Sequence, residues 1–146
     1  MRVVIDTNIL IDGSGDNYNY GNRIIEAVID GRLEAFANRS TLKENKLIVG
    51  RKIEDEEYRA KLEEYFDKVQ PVAHGERLDV VEDKEDNKLV ESAVGARADY
   101  LITSDKHLLK LGQYNQTKIV PPSSFWQEFE EEIGEGWGKW VDNFMR

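Results

Sequence analysis

The sequence contains no cysteine and only two histidines. The first absence excludes a disulfide frame and a thiolate metal site. The second leaves no histidine cluster for a softer metal, and His74 and His107 read as ordinary surface or packing residues. No apolar run approaches the roughly 20 residues that a membrane-spanning helix needs. No leader-like segment precedes the first strand, so a cytoplasmic protein without membrane association is expected. There is neither an internal repeat nor a low-complexity linker. The 146 residues are therefore expected to form one domain, large enough to bury a core.

Positive charge is also in short supply. Twenty basic residues stand against 29 acidic ones, a net charge of −9, which argues against a protein that coats itself in nucleic acid. The imbalance is uneven. Between Arg39 and Lys52 five cations (Arg39, Lys43, Lys46, Arg51, Lys52) face one acid, Glu44, whereas "FWQEFEEEIGEG" leans the other way. A local basic face on an acidic molecule is expected.

What is present is an alternation of two kinds of segment. "RVVID", "LEAFA", the Pro-interrupted "VQPVA", "DYLIT" and "KIV" read as short strands, the third suited only to a sheet edge. "GSGDNYNYGN" reads as loop. Helices are expected over "RIIEAVIDG", with Ile24, Ile25 and Val28 inward and Gly31 as the stop, over 40–50 and 54–68, over "EDNKLVESAVGARA", with Leu89, Ala93 and Val94 inward, and over "SSFWQEFEEEI". Strands alternating with helices indicate an α/β fold, a three-layer α/β/α sandwich around a parallel sheet of four to five strands. Residues 126–146 are expected to form a helical extension, with Trp137, Trp140 and Phe144 at helical spacing as one apolar stripe packed on the domain or on a partner.

The first strand ends abruptly on an acid: "VVID" runs into Asp6, Thr7 and Asn8. Parallel sheets place their sites beyond the carboxyl ends of the strands. Asp105 follows the fourth strand in "YLITSD", and Glu44 and Asp86 stand at helix starts that face the same edge. Each acid also has a purely structural reading. Thr41-Leu42-Lys43-Glu44 fits a capping box. Asp83 suits a helix cap three residues before Asp86, Asp105 suits a cap for "KHLLKL", and Asp6 suits a cap for the turn "TNILID". Capping alone does not favour gathering carboxylates, because like charges about 4 Å apart repel by about 1 kcal/mol in water and several-fold more when partly buried. Four converging acids call for a hard cation, Mg²⁺ or Mn²⁺, with oxygen ligands.

"VVIDTNILID", "STLKENKLIV" and "DNKLVESAVGARADYLITSDKHLLKL" together resemble the PIN-domain ribonucleases, most closely their VapC-like toxin branch. The resemblance covers residues 2 to about 125. It implies metal-dependent endonucleolytic hydrolysis of RNA, with Asp6, Glu44, Asp86 and Asp105 as the metal-binding, catalytic acids. Thr7, Asn8, Asp83, Thr103 and Ser104 are implied as supporting residues, Asn8 by orienting Asp6. As a toxin-antitoxin component the chain is expected to meet RNA, a small antitoxin protein and a second copy of itself. Lys43, Lys46, Arg51 and Lys52 are candidate contacts to the RNA backbone, and Tyr18 and Tyr20, placed in the loop, are candidates for stacking on bases. Two rivals stand beside this reading: a PIN-like module that binds RNA or protein without cutting, and a Mg²⁺-dependent phosphatase with Asp6 as nucleophile. The second rival usually wants an acid two residues on, where this chain has Asn8.

Overall fold

A computed structural model describes residues 1–14, 19–73 and 75–132. In chain order these form β1 (Arg2–Ile5), α1 (Thr7–Asp12), α2 (Tyr20–Ile29), β2 (Glu34–Asn38), α3 (Arg39–Lys52), α4 (Glu56–Lys68), β3 (Gln70–Val72), α5 (Lys84–Ala96), β4 (Tyr100–Ile102), α6 (Lys106–Leu111), β5 (Gln113–Tyr114) and β6 (Thr117–Val120). A further helix, α7, covers 122–132. The six strands form one sheet in the order β3-β2-β1-β4-β6-β5. All neighbours run parallel except the β5–β6 pair.

The central strands β1 and β4 are apolar on both sides and are covered twice. Val3 and Ile5 of β1, with Tyr100 and Ile102 of β4, pack against α1, α2, α3, α4 and α7 in one core. Val4 and Leu101, one residue out of phase, pack with Ile119 against Leu89, Val90 and Ala93 of α5 and Leu108 of α6 in the other. Alternation along β1 and β4 thus separates two helical layers, giving an α/β/α sandwich. Among the described residues no helix is long and apolar enough to cross a membrane.

The expected strands all form, with "QPV" at the edge, where the missing N–H of Pro71 is tolerated. Four local expectations are corrected. "TNILID" is a six-residue helix rather than a turn, since Asp6 accepts the Asn8 N–H and starts it. Tyr20 is no loop residue but the first residue of α2, capped by the Asn19 side chain. In α5 the buried stripe runs through Leu89, Val90, Ser92, Ala93 and Ala96, leaving Val94 only half-buried. Finally, β5 was not foreseen: two residues joined to β6 through Asn115 at φ 51° carry no hydrophobic alternation to announce them. Of the C-terminal extension, Trp126 and Phe129 are buried in the first core; Trp137, Trp140 and Phe144 lie outside the described residues.

Two glycines, each in the last turn of a helix, test this packing. A Cβ on Gly50 would meet nothing within 4 Å, whereas one on Gly95 would come within 2.7 Å of Val72 Cγ1 in β3. Gly50→Ala is expected to raise stability by about 0.5 kcal/mol through helix propensity. Gly95→Ala is expected to lower it by about 1 kcal/mol through overpacking. Denaturant midpoints of the two variants measure both.

Candidate functional site

The chain builds outward from β1 through β2 to β3, then returns to the other side of β1 as β4. The order therefore reverses between β1 and β4, and a crevice opens beyond their carboxyl ends. Ile5 pairs with Ile102, so Asp6 and Thr103 are the next residues out on adjacent strands. Asp6 remains extended (φ −64°, ψ 139°), so strand alternation puts it on the Val4 side of the sheet, beneath α5. Thr103, fully buried, stands there too.

Thr103 joins two of the acids. Its Oγ1 donates to Asp6 Oδ2 at 2.8 Å and accepts the Asp105 N–H at 3.0 Å. Asp6 uses its other oxygen as the cap of α1, accepting Asn8 N–H at 3.2 Å. Asp105 caps α6, its Oδ1 accepting from His107 N–H at 2.8 Å and Leu108 N–H at 3.2 Å. Both structural readings of these acids therefore hold, and neither prevents the two from being neighbours. The link between Asn8 and Asp6 is a backbone N–H bond, and the Asn8 side chain is exposed.

Asp86 comes to the same rim from α5. Its carboxyl accepts no hydrogen bond among the described residues, and its pKa is pushed up to about 6. Partial burial is the main cause, followed by the negative charges of Asp105, Asp83 and Asp6, with His107 opposing. Asp83 caps α5 by accepting Glu85 N–H at 2.8 Å.

Glu44 stands apart from these three. It is exposed on α3, and its charge reaches Lys88 of α5. The capping-box expectation fails here: Asn38 caps α3 by accepting the Thr41 N–H at 2.7 Å, which puts Glu44 beyond the first turn. Among the described residues no three His, Cys, Asp or Glu side chains close into a metal-holding group. Asp6 and Asp105 each spend an oxygen on helix N–H groups, and like charges stay apart unless a cation stands between them. The donor set still suits a hard ion. Asp105 Oδ2 and both Asp86 oxygens are without hydrogen-bond partners among the described residues, and no softer ligand than carboxylate or hydroxyl oxygen is present apart from the exposed ring of His107.

A family model for the PIN domain matches residues 2–107, from β1 to the first turn of α6, with all four acids inside it. The chain belongs to the PIN-domain family. A chain of the crystal structure of VapBC2 from Rickettsia felis, bound to a DNA fragment from their promoter, is similar to this PIN domain with a TM-score of 0.54 and 13% identity. The match covers 82% of this chain and 97% of that one and shows a shared fold. No curated protein matches the sequence.

The remaining candidates of this PIN domain scatter. Thr7 sits beside Asp6 and donates to Asn45 of α3, a buried residue that the sequence reading overlooked. Ser104 is exposed and makes no hydrogen bond among the described residues. Lys43 and Lys46 share one stripe of α3 with Arg39, at spacings of three and four, whereas Arg51 and Lys52 fall in the last turn, on other sides of the helix. The Lys46 ammonium lies 6.0 Å from the centre of the Phe66 ring. Tyr20 is 38% exposed with the Arg23 guanidinium 5.6 Å from its ring centre. Tyr18 and His74 lie outside the described residues.

Two expectations follow for the protein held in chelator. Thr103→Val removes the donor to Asp6 and the acceptor for Asp105 N–H at a fully buried position, so it should cost about 1–3 kcal/mol in urea denaturation. Asp86 has the opposite sign. Its folded pKa lies above the ordinary 3.8, so the folded state holds its proton more tightly and the Asp86 contribution to stability is lost as pH rises from about 4 to about 6. Asp86→Asn should flatten that part of the stability–pH curve. It should also raise the urea midpoint at pH 7 and leave it nearly unchanged at pH 4.

Proposed function

We propose that this PIN domain is a divalent-metal-dependent endoribonuclease and serves as the toxin of a type II toxin-antitoxin pair. The reading is carried by one observation: Asp6 and Asp105 are tied through Thr103 at the strand-order reversal, and Asp86 lies near enough that their charges add to burial in raising its pKa. Family membership over residues 2–107 supports it.

Asp6, Asp86 and Asp105 would hold Mg²⁺ or Mn²⁺, with Glu44 approaching from α3. A bound ion of this kind supplies Lewis-acid stabilisation of a phosphoryl oxygen and a more acidic water. The protein's own groups do the rest. Thr103 locks the Asp6 carboxylate against rotation. The α6 N–H groups hold Asp105 with one oxygen turned away from the helix. Arg39, Lys43 and Lys46, on one stripe of α3, would contact the RNA backbone. Without a cation the rim repels phosphate, so RNA binding and cleavage both require the ion.

The antitoxin is expected to be a small protein that places a guanidinium among the acids, since arginine matches carboxylates in geometry as well as charge. The VapBC2 structure from Rickettsia felis gives fold-level support to such pairing. The exposed position of Glu44 on α3, apart from the other acids, favours the non-cutting RNA-binding module as a second reading.

Cleavage assays on single-stranded RNA with Mn²⁺ separate the two. Asp6→Asn keeps an acceptor for the Asn8 N–H and should change stability by less than about 1 kcal/mol. Cleavage should nevertheless fall to background, and the wild-type products should carry 5′-phosphate and 3′-hydroxyl ends. Wild-type protein that binds RNA without Mn²⁺ and releases no oligonucleotides would establish the second reading, and release of free phosphate would point to a phosphatase.

A further inference from the structure

Two of the acids are followed by the same three residues. Glu44-Asn45-Lys46-Leu47 lies on α3 and Asp86-Asn87-Lys88-Leu89 on α5. In both places the asparagine is buried, at 4% and 5% exposure, although asparagine is ordinarily a surface or turn residue. A carboxamide taken out of water must be hydrogen-bonded, so its partners reveal what it holds.

Asn87 is saturated. Its Oδ1 accepts Val80 N–H at 2.9 Å and Val81 N–H at 3.1 Å; its Nδ2 donates to Val81 O at 2.8 Å and Asp83 O at 3.2 Å. Two acceptor sites and two donors are all that an asparagine side chain possesses. They clamp the irregular segment 80–83, which leads into α5, onto the first turn of that helix. Glu91, one turn further along, accepts Leu78 N–H at 3.1 Å and extends the clamp. Asn45 makes a different connection: its Oδ1 accepts the hydroxyl of Thr7, the residue beside Asp6. One carboxamide therefore fixes the helix start that carries Asp86 and its cap Asp83, and the other fixes the helix that carries Glu44 against the start of α1.

We propose that Asn45 and Asn87 are positioning residues that set the distances between the acids of the rim. The proposal rests on the nuclease reading for its consequence but not for its mechanics. The carboxylates of Asp6, Asp83, Asp86 and Asp105 lie near one edge and push each other outward. Helix starts held only by exposed caps would yield to that push, whereas buried carboxamides, whose alternative is an unsatisfied polar group, resist it.

Two measurements on the full chain decide it. Asn87→Leu keeps the volume and removes the four bonds; Thr7→Val removes the hydroxyl and Thr7→Ser restores it. Amide hydrogen exchange of residues 80–86 should accelerate about tenfold or more in Asn87→Leu while the strand amides of β1 and β4 stay protected. Mn²⁺ affinity, read by calorimetry, should weaken about tenfold in Asn87→Leu and in Thr7→Val and return in Thr7→Ser. Unchanged exchange in 80–86 overturns the clamp. Accelerated exchange with unchanged Mn²⁺ affinity makes the carboxamides merely structural and overturns their positioning role. Should Asn87→Leu fail to fold, the Thr7 pair decides by affinity alone. Wild-type protein that takes up no Mn²⁺ removes the nuclease reading and with it any role in positioning metal ligands, leaving exchange to judge the clamp.

Discussion

Asp6 and Asp105 are joined through a single hydroxyl, that of Thr103, which gives its proton to one and takes the backbone N–H of the other. This is possible only because β1 and β4 are adjacent and in a register that leaves Asp6 and Thr103 side by side one residue past the paired ends. The same adjacency makes the reversal of strand order fall between them. Register, topology and site are thus one constraint. A slip of one residue in the β1–β4 pairing would turn Asp6 toward the other helical layer and dissolve the rim.

Three acids on the rim do two jobs with opposite demands. As caps, Asp6, Asp83 and Asp105 are individually favourable, because carboxylates satisfy helix N–H groups. As neighbours they are collectively unfavourable, and their charges add to burial in raising the pKa of Asp86, whose carboxyl accepts no hydrogen bond among the described residues. A fold that concentrates helix starts at one sheet edge concentrates these charges as well. The buried polar side chains nearby, Thr103, Asn45 and Asn87, counter the outward push by anchoring the segments that carry the acids.

Much of this was legible in the sequence. Asp6, Asp86 and Asp105 announced themselves because each interrupts a pattern, two at the ends of β-branched runs and one at the start of a helix. Glu44 was read less well, since the Thr41–Glu44 spacing imitates a cap that Asn38 already supplies three residues earlier. The buried asparagines gave no signal at all. In a linear reading, Asn45 between Glu44 and Lys46 looks like one more solvated position. Its burial depends on α3 lying across α1, a contact between elements 38 residues apart.

The amino-acid order by itself determined the alternation of short apolar strands with helices, hence the three layers, and it placed acids just past strand ends, because these are consequences of local periodicity and capping chemistry. Tertiary structure alone decided which acids meet. It put β4 beside β1 and so brought Thr103 to Asp6 across a sequence separation of 97 residues, with Asp105 tied in through the same hydroxyl. It also left Glu44 exposed on α3, apart from the other acids. Proximity of that kind arises from strand order and helix packing, and no local pattern encodes either.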